Sequence, residues 1–117
     1  MVWIIEFEDE FETEFDELNP TVQDALLAKA KVLEQFGPSL GRPHVDTLND
    51  SEHTNMKELR FDADGGVWRV AFAFDKQRKA ILLCGGVKQG DKRFYKNLLR
   101  VADRRFAKHL EKGEKDG

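Results

Sequence analysis

The clearest pattern in the chain is an alternation. In VWRVAFAF, residues 67–74, Trp68, Val70, Phe72 and Phe74 point one way and Arg69, Ala71 and Ala73 the other. MKELRF (56–61) and KAILLCG (79–85) are similar short apolar or alternating runs, and the stretches between them, DADGG and DKQR, are turn-formers. Together they predict a three-stranded meander. Upstream, VWIIEF (2–7) predicts a further strand. The period then changes. Phe11, Phe15 and Leu18 recur at helical spacing behind Asp9, a candidate cap. Asn19-Pro20 reads as the cap and first residue of a second helix with the stripe Val22, Leu26, Ala30, Leu33, ended by Gly37-Pro38. Residues 38–55 show no period and predict a long loop, a feature that is often functional. Phe94, Leu98, Val101, Ala102, Phe106 and Leu110 predict a last helix over 91–112, capped by Asp91, with a polar tail at 113–117. The order β-α-α-β-β-β-α implies one α+β domain over residues 1–112. It has a small, mostly antiparallel sheet, an N-terminal helical hairpin and a C-terminal helix, with the helices expected on one side.

The Asp64-Gly65 pair favours a two-residue hairpin, which sets a register. Leu59 then faces Val70, Phe61 faces Trp68, and Arg60 faces Arg69. The first two pairs belong to the core. The arginine pair falls on the other face, expected to be open. Two arginines directly opposite each other are unfavourable unless an anion neutralises them. Glu58 or Asp62, on the same strand with the same parity, is one candidate. A phosphate held between two guanidinium forks is the other.

Charge adds to this picture. The chain has 117 residues and a net charge of −3, but residues 1–28 carry nine acids and no Lys or Arg, whereas residues 76–112 carry twelve Lys or Arg against three acids. Lys88, Lys92, Arg93, Tyr95 and Lys96 follow the Gly85-Gly86 end of the last strand, where backbone can come close to a ligand. If that strand lies beside the preceding one, these groups converge near Arg69. RNA cleavage without a metal fits such a site. A 2′-hydroxyl attacks the adjacent phosphate, Arg and Lys stabilise the developing charge, and a Tyr or Lys moves protons if neighbouring cations lower its pKa. The expected cleavage residues are Arg60, Arg69, Lys88 and Tyr95, with RNA also running over Lys57, Lys92, Arg93 and Lys96. No metal or cofactor is expected. The lone Cys84 excludes an internal disulfide and reads as an inert core residue, and His44 and His53 read as surface residues. No apolar stretch approaches the roughly 18 residues that cross a bilayer, and the acidic start lacks a signal peptide's basic region, so a cytoplasmic protein is expected.

KELRF, VWRVAFAFD, AILLCGGVKQG and FYKNLLRVADRRFAKHL, in this order, resemble the RelE/ParE toxin superfamily and, within it, the phage-derived HigB-like branch. LGRPHVDTLNDSEHTNMKELR resembles the loop before that branch's ELR strand, so the likeness spans roughly residues 3–111. It implies the toxin of a bacterial type II toxin–antitoxin pair that cuts mRNA on the ribosome, with a helix-turn-helix antitoxin as partner. By motif, Arg60 matches the ELR arginine, Arg69 the arginine placed at the scissile phosphate, Lys88 the lysine after the last strand, and Tyr95 a catalytic tyrosine of some RelE-type nucleases. The ParE-like half of the superfamily implies instead a non-enzymatic inhibitor of DNA gyrase. A degenerate toxin would only bind its antitoxin.

Overall fold

The computed structural model describes residues 2–116, with side chains through residue 113. In chain order its elements are β1 (Ile4–Phe7), α1 (Asp9–Asp16), α2 (Pro20–Phe36), a 3-10 turn (Gly37–Ser39), β2 (Val45–Thr47), β3 (Lys57–Ala63), β4 (Gly66–Phe74), β5 (Lys79–Val87) and α3 (Phe94–Asp116). The sheet order is β1-β5-β4-β3-β2, antiparallel throughout except for the parallel β1–β5 pair. The fold is α+β, as the pattern implied.

Local chemistry explains most boundaries. Asn19 caps α2, its side chain accepting from Thr21 N at 2.8 Å, with Pro20 as the first helical residue. Gly37 ends α2 at φ 55°, a conformation only glycine adopts cheaply, and the Trp3 indole packs where a Cβ would stand. Glu8, rather than Asp9, caps α1: its carboxylate accepts from Phe11 N at 3.0 Å, and burial beside the sheet holds it there. Asp64 and Gly65, at φ 52° and 74°, form the hairpin turn. The loop 38–55 is not wholly irregular, because Val45–Thr47 adds an edge strand to β3. α3 starts and ends later than 91–112. Asp91 instead makes a turn ahead of it, accepting from Arg93 N at 2.8 Å, and the helix continues to Asp116 through most of the expected tail.

The expectation of helices on one side does not hold. Val70, Phe72, Leu59, Phe61, Ala80 and Leu82 pack against α1 and α2. Ala71, Ala73, Ile81, Leu83 and Cys84 pack against Leu98, Leu99, Ala102 and Phe106 of α3. The second face is apolar too, but its small alanines conceal this in the sequence. A bulge contributes: Ala71 pairs with Cys84 and Phe72 with Leu82, so Leu83 is an extra residue and both Leu83 and Cys84 turn toward α3.

Candidate functional site

Arg60 pairs with Arg69 across β3 and β4, in the expected register. The face they share is not open, because α3 closes over it; Arg69 is only 7% exposed. Glu58 neutralises the pair. It is 3% exposed, and its Oε1 lies 3.6 Å from Arg69 Nε while its Oε2 accepts from Arg60 Nη1 at 3.4 Å. Asp46 Oδ2 stands 3.6 Å from the same Arg60 nitrogen, with Arg42 fixing it from outside at 2.6 Å. Asp62 is exposed and takes no part. Among the described residues the Arg69 side chain makes one hydrogen bond, from Nη1 to the carbonyl of its own neighbour Trp68 at 2.9 Å, and its buried Nε has no hydrogen-bond partner there.

Tyr95 comes to this cluster from the first turn of α3 and donates to Glu58 Oε1 at 2.9 Å. Burial raises the phenol's pKa, and its bond to Glu58 raises it further, against an opposite pull from Arg69. The condition that neighbouring cations lower it is therefore not met: Arg69 pulls it down, but burial and Glu58 outweigh that pull, and Tyr95 stays a neutral phenol near neutral pH. Lys88 Nζ lies 5.2 Å from the Tyr95 ring centroid, and the Lys88 backbone N–H donates to Val67 O at 2.7 Å, extending the β4–β5 ladder. The structure thus gathers Arg60, Arg69 and Tyr95 around Glu58, with Lys88 over the Tyr95 ring. A groove of about 730 Å³, with Lys29, His44, Phe61 and Val67 among its walls, opens beside the two arginines.

The remaining predicted residues divide. Lys92, Arg93 and Lys96 are exposed around the start of α3. Lys57 has the parity of Leu59, so it stands on the opposite face from Arg60, its Nζ 3.5 Å from Thr47 Oγ1. Gly85 serves packing, since a Cβ there would lie 2.8 Å from Val70 Cγ2, whereas one at Gly86 would make an ordinary 3.4 Å contact with the Phe94 ring. Cys84 is buried, and burial pushes its thiol pKa up to about 12. Of the histidines, His44 Nδ1 meets Lys29 Nζ at 2.9 Å and His53 packs edge-on to Phe106. No group of three or more His, Cys, Asp or Glu among the described residues is placed to hold a metal.

Sequence reasoning missed a second charged cluster. Arg105 in α3 is 5% exposed and bonds Glu14 of α1 through Nη1 at 2.9 Å and Nη2 at 2.6 Å, and its Nη1 also donates to Leu83 O at 2.8 Å. The carbonyl it reaches belongs to the bulge residue. The only sequence signal was the opposed charge of the two ends of the chain.

Comparison with known proteins gives this arrangement a family. The model of the phage-derived Gp49-like proteins matches residues 13–107. The chain belongs to the Gp49-like family. The matched span holds Glu58, Arg60, Arg69, Lys88 and Tyr95 and stops just beyond Arg105. The chain is 48% identical over 92 residues to a Mycobacterium tuberculosis protein that carries the toxin name HigB3, covering 78% of this chain and 79% of that one. It is 43% identical over 95 residues to another from the same organism that carries the toxin name HigB2, covering 80% of this chain and 47% of that longer protein. The fold resembles the free-state structure of a mutant of the Escherichia coli toxin RelE, with TM-score 0.63 and 14% identity, over 90% of this chain and 98% of that one. At that identity the likeness concerns the fold alone.

Proposed function

We infer that this Gp49-like protein is the toxin of a type II toxin–antitoxin module and that it cuts mRNA on the ribosome without a metal. The observation that carries this reading is the convergence of Arg60, Arg69, Lys88 and Tyr95 on one end of the sheet. Exposed Lys92, Arg93 and Lys96 alongside suit an RNA backbone. The toxin names of its relatives support the same class and imply an antitoxin, for which a helix-turn-helix protein is our expectation, in the cytoplasm.

In this mechanism the scissile phosphate lies against Arg69 and Arg60, with Lys88 nearby. These cations stabilise the charge on the phosphoryl oxygens as the 2′-hydroxyl attacks. The 2′-hydroxyl gives its proton to solvent water as the 2′-oxygen–phosphorus bond forms and the phosphorus–5′-oxygen bond breaks; Tyr95, held as a phenol, donates its proton to the departing 5′-oxygen and recovers one from water. The products are a 2′,3′-cyclic phosphate and a free 5′-hydroxyl.

Induced expression in a bacterial host, wild type beside Arg69→Ala, with mapping of mRNA 5′ ends, tests this. New 5′-hydroxyl ends inside translated frames, absent in the variant, are expected. Glu58 already neutralises the arginine pair, and this favours a second reading in which the site only binds, either as a gyrase inhibitor or as an antitoxin-binding remnant. Growth arrest with DNA-damage signalling and intact mRNA would select the former; no growth effect would select the latter.

A further inference from the structure

The Glu58 carboxylate is deeply buried but loosely held by the two arginines. Its gaps to Arg60 and Arg69 are 3.4 and 3.6 Å. Charge-assisted hydrogen bonds of this type close to about 2.7–2.9 Å when nothing prevents them. Arg105 also has loose carboxylates, 3.8 Å from its Nε, but it closes on Glu14 to 2.6 Å, whereas neither arginine closes on Glu58. Arg69 also keeps a buried Nε without a hydrogen bond, a cost it shares with Arg105, but unlike Arg105 it has no forked carboxylate on its other nitrogens. The strong bond to Glu58 comes from Tyr95 at 2.9 Å, on a different element. The two guanidinium groups therefore face an anion that takes one long bond from Arg60 and none from Arg69, held in place by a phenol.

We propose that Glu58 is the resident counter-anion of a phosphate site and that a phosphate or phosphodiester group binds between Arg60 and Arg69 by displacing its carboxylate. A phosphate group offers more oxygens over a wider span than one carboxylate can, enough to take the unpaired Arg69 donor as well. Occupancy by Glu58 keeps two facing arginines compatible with folding in the free protein. Its removal uncovers them only when a better anion arrives. Because Tyr95 bonds to Glu58, displacement also frees the phenol beside the bound phosphate. This inference deepens the proposed nuclease site and rests on the same arginines, but it concerns anion binding, and binding is measured separately from cleavage.

The test is calorimetric binding of inorganic phosphate and of a 2′-O-methyl RNA oligonucleotide, which cannot be cleaved by 2′-hydroxyl attack, at fixed pH and ionic strength. Removing an internal competitor should tighten both on the order of tenfold in Glu58→Gln. Arg69→Ala should lose both. Tyr95→Phe, which unties the carboxylate without changing charge, should tighten both by a smaller factor. It also keeps the test decisive if Glu58→Gln fails to fold. Equal or weaker binding in a folded Glu58→Gln, or in Tyr95→Phe where the former does not fold, overturns the proposal, and so does a wild type that binds neither probe. Cleavage in cells by a wild type whose Glu58→Gln variant binds no tighter would retain the nuclease and discard the displacement. The reverse result would retain the anion site and discard the nuclease.

Discussion

Arg69 and Arg105 are both buried, both lie between the sheet and α3, and both have carboxylates nearby. Both also keep a buried Nε without a hydrogen bond, and the difference lies in their other donors. Arg105 is held in a forked pair with Glu14 and by the Leu83 carbonyl, with Glu8 at 3.8 Å as a further anion. It ties α3 to α1 across the end of the sheet. Arg69 has one bond to its own neighbour's backbone and a carboxylate beyond ideal reach. A buried arginine whose donors are mostly satisfied by fixed protein groups acts as structure. One whose donors are left over is available to something that is not part of the chain.

The largest effect on stability separates the two sites. Arg105→Ala should cost about 1–3 kcal/mol in denaturant unfolding, because it removes the donor to the bulge carbonyl and the cation beside buried Glu8, while half-exposed Glu14 regains water. Arg105→Lys should recover only part of this, since an ammonium cannot fork onto Glu14 and also reach Leu83 O. If Arg105→Ala unfolds with the same midpoint as wild type, the cluster at the α1–α3 junction is ornamental and the contrast with Arg69 collapses.

Arg69→Ala should show the opposite profile. The lost stability should be smaller than at Arg105, because Glu58 keeps Tyr95 and Arg60 as partners. The proposed RNA cleavage, assayed with the protein added to reconstituted translating ribosomes, should fall by on the order of 10²–10³-fold, the usual loss for one preorganised group facing developing charge. A variant as unstable as Arg105→Ala with proportionate loss of activity would make Arg69 a second structural arginine.

What could be read in the sequence follows this same division. The hairpin register was legible because Asp64-Gly65 favours a two-residue turn; core parity alone would also have allowed a Gly65-Gly66 turn with partners shifted by two, and the structure takes the former. Parity then put Arg60 opposite Arg69 and named Glu58 as a possible partner. The second covered face was not legible, since Ala71 and Ala73 read as open space although helix α3 fills it. The bulge at Leu83, the Arg105 cluster and the place of Asp46 depend on how α3 and the loop before β3 return to the sheet, and no local pattern encodes that. Lys57 illustrates the cost of reading charge without parity: it sits one residue from Glu58, but on the other face.

Basic residues divide along α3 in the same way. Arg104, Arg105, Lys108 and Lys112 meet Asp9, Glu10 and Glu14 of α1. Lys88, Lys92, Arg93, Lys96 and Arg100 form no ion pair with the acids of the described residues. Neutralising Lys92, Arg93 and Lys96 together should therefore leave stability nearly unchanged and weaken RNA oligonucleotide binding. It should also flatten the logarithmic salt dependence by about 0.7 for each phosphate no longer neutralised. An unchanged salt slope would remove these residues from the RNA path.

The smallest expected effect concerns acid, and it tests the structural arginine from the side of its partner. The Arg105 hydrogen bond, aided by the charges of Arg105 and Arg104, holds the Glu14 carboxyl below its ordinary value of 4.5. A carboxyl depressed in the folded state stabilises the protein above its unfolded pKa, and that contribution is lost as pH falls through the lower folded value. Glu14 is half exposed, so solvent screening keeps the contribution under about 1 kcal/mol. Wild type should thus unfold at a higher temperature than Glu14→Gln at pH 7, and the gap should narrow as the pH is taken down through 4.5 and below. Arg105 is not the source of this dependence, because its own pKa is raised from an already high value and it stays charged throughout. A gap of equal size at both ends of the range would mean that Glu14 contributes packing to the α1–α3 junction and that its charge contributes nothing measurable there.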